Sequence, residues 1–271
     1  MENLNAKKEK LYELLKSGSK PAVAFSGGID STLLLYLCCK LRQGDALGIM
    51  AVTPGQSREE VEYAESIIRE YDLNGEFLQL DILTIEAVAH NHRDRCYHCK
   101  TKILTAIEEK AKAQGCGVIY DGSNADDAGE YRPGAKALKE KGVLSPLQLC
   151  GFTKTNVREL AEELNLKNWN KPSVPCLLTR FPYDLAEPID RNSLRVIAAG
   201  ERILKEYCRE NFRLRREQDG SCRIEAATED MMRILVDREG IIGALAGLGL
   251  KKVCLDLRPF RSGSFDREVR K

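Results

Sequence analysis

The run Ser26-Gly27-Gly28-Ile29-Asp30-Ser31 places hydrogen-bond donors and one carboxylate in a turn between two apolar stretches. Ala22-Val23-Ala24-Phe25 reads as the strand before it, and Leu33-Leu34-Leu35-Tyr36-Leu37 as the helix after it. Gly27 and Gly28 lack a Cβ, so the backbone can approach a ligand closely. Ser26, Ser31 and the N–H groups at the helix start aim donors at one point, where the helix dipole also favours negative charge. Such a turn binds an anion. Asp30 beside those donors requires a cation, and a phosphate-bearing nucleotide with Mg²⁺ supplies one, because Mg²⁺ is held by one or two carboxylates plus phosphate oxygens. The run lacks the lysine of the Gly-x-x-x-x-Gly-Lys-[Ser/Thr] loop and does not fit Gly-x-Gly-x-x-Gly.

Thiols form a second constellation. The chain has 10 cysteines, and the start, Met1-Glu2-Asn3-Leu4-Asn5-Ala6-Lys7-Lys8, lacks the apolar core of a signal peptide. A cytoplasmic location is therefore expected, with the cysteines reduced. In Arg95-Cys96-Tyr97-His98-Cys99-Lys100 the Cys-x-x-Cys pair has three meanings: redox dithiol, half of a zinc site, or part of an iron–sulfur site. The pair is expected at the end of a loop, with a helix beginning at or just after Cys99. A redox dithiol normally opens a helix straight after a strand, whereas this pair follows polar His90-Asn91-His92-Arg93-Asp94. A zinc site needs a further ligand, which His98 or its neighbours would provide. Cys176 is the third thiol, framed by Pro172, Pro175 and Leu177-Leu178-Thr179-Arg180, a setting a core cysteine rarely needs. Arg95, Lys100, Lys171 and Arg180 around these segments favour thiolate. Three thiolates can hold three irons of a 4Fe-4S cube and leave the fourth open to an exogenous sulfide. Cys38, Cys39, Cys116, Cys150, Cys208, Cys222 and Cys254 read as small buried hydrophobes or incidental thiols.

These residues need a scaffold, and the pattern supplies one. After an amphipathic helix over 4–17, strand candidates at 21–25, 46–52, 76–80 and 117–121 alternate with helical patterns near 31–42, 57–71 and 99–114. Near-continuous apolar strands separated by helices predict an α/β fold with a doubly wound parallel sheet, whose ligands bind at the carboxyl ends of the strands. The Ser26 turn, the 53–57 segment and the 121–127 segment would then share one rim. A Pro-rich segment at 170–183 reads as an active-site loop and domain junction. Beyond it a long helix (190–208), a hairpin (212–216 and 221–226), two helices and a strand (251–256) suggest a smaller α+β domain. Boundaries of 1–185 and 186–271 follow. Arg213 and Arg215 alternate on a strand, so they share one face and could fork onto a phosphate, or else form a solvated basic face.

Hydrophobic residues at 43% and charged residues at 31% suit a soluble globular protein, and no apolar run reaches membrane-spanning length. A net charge of +1 gives no broad nucleic-acid footprint.

The Ser26–Ser31 turn resembles the PP-loop of ATP pyrophosphatases. With Asp121-Gly122-Ser123-Asn124-Ala125-Asp126-Asp127, Tyr131-Arg132-Pro133-Gly134, Ser145-Pro146-Leu147, the 176–183 segment, Asp256 and Arg261-Ser262-Gly263-Ser264, the chain resembles the LarE family over nearly its whole length. These are ATP-dependent sulfurtransferases of nickel-pincer nucleotide cofactor biosynthesis. The resemblance implies that a ring carboxylate of pyridinium-3,5-biscarboxylic acid mononucleotide is adenylated, with release of pyrophosphate. A sulfur nucleophile then displaces AMP and leaves a thiocarboxylate. It implies ATP and Mg²⁺ at Ala24, Ser26, Gly27, Gly28, Asp30, Ser31, Ser57, Gly122, Asn124 and Asp127. Arg180, Glu201, Arg213 and Arg215 would meet the substrate, with Arg180 stabilising charge at the acyl centre. Family members with a single loop cysteine surrender its sulfur, whereas Cys96, Cys99 and Cys176 put this chain with those that carry a 4Fe-4S cluster. A sulfide or cysteine-derived sulfur source and a symmetric homo-oligomer are also implied. Asp184 stands where the family usually has glycine. A PP-loop tRNA thiolase shares the turn and the thiols, but near-neutral charge speaks against a tRNA partner.

Overall fold

The computed structural model describes residues 3–128, 133–172, 174–209 and 211–261. Tyr131 and Arg132, Ser173 of the Pro-rich segment, and Ser262, Gly263 and Ser264 lie outside the described residues. The chain runs α1 (Leu4–Lys16), β1 (Pro21–Ala24), α2 (Ile29–Leu41), β2 (Leu47–Val52), α3 (Arg58–Glu70), β3 (Gly75–Gln79), α4 (Glu86–Ala89), α5 (Arg95–Ala113) and β4 (Val118–Tyr120). It continues with α6 (Pro133–Glu140), α7 (Pro146–Leu149), α8 (Lys154–Glu163), α9 (Arg191–Leu204), β5 (Arg213–Arg216), β6 (Cys222–Glu225), α10 (Thr228–Val236), α11 (Arg238–Gly247) and β7 (Val253–Leu255). Two compact units result: Met1–Ile85 with Asp94–Val174, and Glu86–Arg93 with Pro175–Lys271.

The first unit holds a four-stranded sheet in the order β3-β2-β1-β4, with every pairing parallel. Alternate residues of each strand enter different cores, as the period of two requires. Val23 and Met50 join Leu11, Leu33, Leu34, Phe152 and Leu160, from α1, α2 and the 147–166 region. Ala22, Leu47 and Ile49 pack with Ile107 and Ala111 of α5. Helices thus cover both faces, which explains why these strands read as apolar runs instead of alternating patterns. The chain leaves β1 toward β2 on one side and reaches β4 on the other, so the strand order reverses between β1 and β4. That reversal opens a crevice at the carboxyl ends of these two strands, where ligands of open α/β sheets bind. The expected doubly wound α/β fold is present.

The second unit carries a sheet ordered β5-β6-β7, with β5 and β6 antiparallel and β6 and β7 parallel. Helix α9 lies close enough to β5 that a Cβ on Gly200 would come within 2.4 Å of Leu214 Cδ2. Leu194, Ile197, Leu204, Leu214, Ile224, Ile234, Ile241 and Leu245 are buried in this unit.

The start of α5 differs from the sequence expectation. Helix α5 begins at Arg95, so Cys96 and Cys99 sit in its first turns and not in a loop before it. The cap residue Asp94, of a type that favours helix starts, makes no side-chain capping hydrogen bond; its Oδ2 instead lies 3.1 Å from His98 Nε2.

Candidate functional site

The turn after β1 is built by its own serines. The Ser26 N–H donates to Ser31 Oγ at 3.1 Å, the two hydroxyls lie 3.0 Å apart, and Ser31 Oγ donates to the Gly28 carbonyl at 3.1 Å. Gly27 takes a φ of 72°, and a Cβ there would lie 2.8 Å from Ala64 Cβ. Both observations demand glycine. Ala24 closes β1, and Ser57 caps α3 by accepting from the Glu60 N–H at 3.3 Å.

The loop after β4 closes over this turn, as the crevice geometry requires. A Cβ on Gly122 would lie 2.9 Å from the Ser31 nitrogen. Asn124 Nδ2 donates to Asp30 Oδ1 at 3.1 Å, and Asn124 Oδ1 accepts from the Asp126 N–H at 3.0 Å. Asp127 Oδ2 accepts from the Asn124 N–H at 2.9 Å and so caps the 3-10 turn Ala125–Asp127. Asp121 holds the loop by accepting from the hydroxyls of Ser123 at 2.7 Å and Ser145 at 2.5 Å. Asp30, Ser31, Gly122 and Asn124 thus meet at one rim of the first unit. Asp30 also pairs with Lys154, the first residue of α8. Sequence reasoning missed Lys154, whose helix opens with a Thr153/Asn156 capping box seen in the structure.

The rim suits a magnesium nucleotide in the chemistry of its donors. It offers one carboxylate, clustered hydroxyls and the start of α2, which leaves the remaining metal positions to phosphate oxygens and water.

In the second unit a set of ties shapes the segment after Cys176. Thr179 donates through its N–H at 3.0 Å and its hydroxyl at 2.7 Å to the Cys176 carbonyl. The Arg180 guanidinium, 2% exposed, forks onto Glu201 at 2.8 and 3.1 Å and donates to Thr179 Oγ1 at 2.7 Å. Arg215 Nη1 donates to the Thr179 carbonyl at 2.7 Å, and Arg215 Nε to Glu225 at 2.6 Å. Arg223 shares the same Glu225 oxygen at 2.7 Å. That shared carboxylate reconciles two like charges, because Arg215 and Arg223 stand opposite in the β5–β6 ladder. Cys176, Arg180, Glu201 and Arg215 therefore belong to one network.

Arg213 stands apart within this group. Burial, with Arg180 and Arg215 nearby, pushes it down to about 10. Among the described residues its guanidinium forms no ion pair; it donates to the Phe212 carbonyl and covers the Phe260 ring at 4.9 Å. A half-buried cation in this state favours an anionic ligand.

Asn91 is a second residue that the sequence did not single out. It is fully buried, with Nδ2 donating to the carbonyls of Leu178 at 3.2 Å, Phe181 at 2.9 Å and Pro182 at 2.9 Å. Its Oδ1 is buried without a hydrogen bond.

Cys96 and Cys176 are exposed and Cys99 is partly exposed, whereas Cys38, Cys39, Cys150, Cys208 and Cys222 are buried. Cys254 is exposed as well. Among the described residues, no group of three or more His, Cys, Asp or Glu side chains is gathered as a metal site. The accessible thiols suit a cluster by their chemistry.

No protein-family model matches the chain. The pyridinium-3,5-bisthiocarboxylic acid mononucleotide synthase of Lactiplantibacillus plantarum is 34% identical over 272 residues, spanning 100% of this chain and 98% of that protein. An uncharacterized protein of Synechocystis is 32% identical over 270 residues, spanning 99% and 100%. Among solved structures, the NMN synthetase of Francisella tularensis is similar with a TM-score of 0.51 at 15% identity, over 64% of this chain and 76% of that one. This last likeness concerns the fold.

Proposed function

The chain belongs to the LarE family of ATP-dependent sulfurtransferases, and we propose that it converts pyridinium-3,5-biscarboxylic acid mononucleotide to its thiocarboxylate through an acyl-adenylate. The observation that carries this reading is the donor-rich Ser26–Ser31 turn at the β1/β4 crevice, in a chain similar end to end to a synthase of that product.

A substrate carboxylate oxygen attacks the α-phosphorus of ATP, and pyrophosphate leaves with the bond electrons. Ser26, Gly27, Gly28 and Ser31 receive the phosphates through N–H and hydroxyl donors, so charge developing on the leaving pyrophosphate meets dipoles already in place. Asp30, with Asn124 and Asp127 behind it, would hold Mg²⁺ against the phosphate oxygens. Ala24, Ser57 and Gly122 would line the nucleotide, where Gly122 keeps the close approach open. A sulfur nucleophile then attacks the acyl carbon and AMP leaves with the original carboxylate oxygen. Adenylation makes this step feasible by replacing an oxide leaving group with a phosphate.

The Arg213 guanidinium, half-buried and without an ion pair among the described residues, would take the substrate's phosphate, with Arg215 alongside. Arg180 and Glu201 would hold the Cys176 turn rigid beside it. Cys96, Cys99 and Cys176 would hold a 4Fe-4S cluster; the group supplies an open iron for an external sulfide. Their accessibility supports this set, and no step above depends on it. The sulfur source would be a sulfide or a cysteine-derived donor. Residues 186–271 would form the substrate-binding and oligomerisation domain of a cytoplasmic homo-oligomer; among the described residues no helix is long and apolar enough to cross a membrane.

The test is incubation of the anaerobically purified protein with ATP, Mg²⁺, sulfide and the dicarboxylate mononucleotide. Substrate-dependent AMP and pyrophosphate, with replacement of a carboxyl oxygen by sulfur in the product mass, is expected. Nucleotide turnover that requires tRNA instead would overturn the proposal.

A further inference from the structure

Lys154 opens α8 directly after its cap, and its ammonium pairs with Oδ2 of Asp30 across the nucleotide crevice. Asn124 Nδ2 holds the other oxygen of the same carboxylate at 3.1 Å. Both oxygens of Asp30 are therefore engaged by side chains. The lysine is also anchored by its backbone: its N–H donates to Asp126 Oδ2 at 2.8 Å, in the loop that carries Asn124. The side chains of Lys154 and Asp30 are 33% and 19% exposed, so ions in solution can reach the pair.

We propose that Lys154 is the resident counter-ion of Asp30 in the nucleotide-free protein. Mg²⁺ enters only with the nucleotide, by displacing that ammonium toward the phosphate oxygens. The inference rests on the reading of this crevice as the ATP site and extends it to a residue that the reading does not use.

The charge balance supports an exchange. Without nucleotide, a divalent ion at Asp30 would stand beside both the Lys154 ammonium and the positive end of α2, with one carboxylate to offset them. The triphosphate brings enough negative charge to accommodate both cations. Metal entry is thereby tied to nucleotide arrival, and the empty crevice does not retain a metal ion.

Mn²⁺, read by its paramagnetic resonance signal, reports occupancy without turnover. The full-length protein should bind Mn²⁺ weakly when free of nucleotide. Lys154→Gln should bind it at least about tenfold more tightly, because the competing cation is gone. Lys154→Arg, which keeps the charge, should resemble the wild type, and Asp30→Asn combined with Lys154→Gln should lose the gain. A non-hydrolysable ATP analogue should tighten Mn²⁺ binding in the wild type by a larger factor than in Lys154→Gln. Equal Mn²⁺ affinity in the wild type and Lys154→Gln, or a gain that survives Asp30→Asn, would overturn the exchange. Failure of the wild type to bind the analogue at all would instead overturn the ATP reading, while the nucleotide-free comparison would still decide the fate of the pair.

Discussion

Asp184 donates its backbone N–H to the carbonyl of Asn91 at 3.3 Å, and both residues lie in the left-handed backbone region, with φ of 54° and 56°. Leu185 N–H adds a bond to the His90 carbonyl at 2.9 Å, and Asn91 Nδ2 binds three carbonyls of the same segment. The stretch after Cys176 is thus fixed from both its backbone and its flank. Asp184 also explains the departure from the family's usual glycine: the loop keeps the backbone conformation that glycine favours, and aspartate tolerates it better than most side chains.

Asp184→Gly should therefore stabilise the protein by about 0.5–1 kcal/mol, less the weak Arg93 contact at 3.6 Å that it removes. Urea unfolding followed by circular dichroism checks this. Asn91→Asp should act in the opposite direction, since it turns a buried donor into a charge facing three carbonyls, at a cost of about 3 kcal/mol or more. A silent Asn91→Asp would show that the amide does not hold the loop.

Breaking the Arg180–Glu201 fork leaves the Glu201 carboxylate with the Leu214 N–H at 3.0 Å but without its guanidinium partner, in a site where Arg180 is 2% exposed. Arg180→Ala should cost about 3–5 kcal/mol of stability. Arg180→Lys should recover only part of it, because an ammonium cannot reproduce the two parallel bonds. A loss under about 1 kcal/mol, read from the same unfolding curves, would free Arg180 for a role at the acyl centre alone.

Arg213 and Arg215 share a strand face but should separate in function. Arg213→Ala should raise the mononucleotide KM at least tenfold with little change in Tm, because it removes a cation without a carboxylate partner. Arg215→Ala should lower Tm, because it removes one of the two guanidinium groups that hold the buried Glu225 carboxylate and the tie to the Thr179 carbonyl. Burial pushes the Arg213 pKa down, yet a guanidinium keeps its charge, so the cation stays available to the substrate phosphate. Isothermal titration with the mononucleotide, beside thermal unfolding, distinguishes the two arginines.

The thiols should also divide. Burial pushes Cys38 up to about 12 and Cys208 up to about 11, so both remain neutral well above pH 8 and shielded from reagents. Iodoacetamide at pH 8 should label exposed Cys96, Cys176 and Cys254 first. Peptide mass mapping reads the order, and early labelling of Cys38 would contradict the packing of α2.

Much of the first unit was legible because its signals are local. An apolar strand followed by Gly27-Gly28 and a serine-flanked aspartate specifies a turn that its own hydroxyls close, and the strand–helix rhythm does the rest. The α5 start was missed although Asp94 is a favoured cap residue, because Arg95–Cys99 is too polar to show a helical stripe. Parallel pairing of β7 with β6 depends on two intervening helices, not on a turn. Lys154 and Asn91 act at long sequence separation from Asp30 and Pro182, so their partners were invisible until the chain was folded. Arg213 and Arg215 were correctly placed on one strand, but the carboxylate that binds one and not the other lies across the ladder.

The acyl-adenylate is the centre of the account, and isotope transfer tests it most directly. With ¹⁸O in the substrate carboxylates, attack of that oxygen on the α-phosphorus followed by sulfur displacement must leave the label in the phosphate of AMP. Mass spectrometry of AMP from a single turnover should show one ¹⁸O per thiocarboxylate formed. AMP that carries no label while the thiocarboxylate accumulates would contradict adenylation of the substrate.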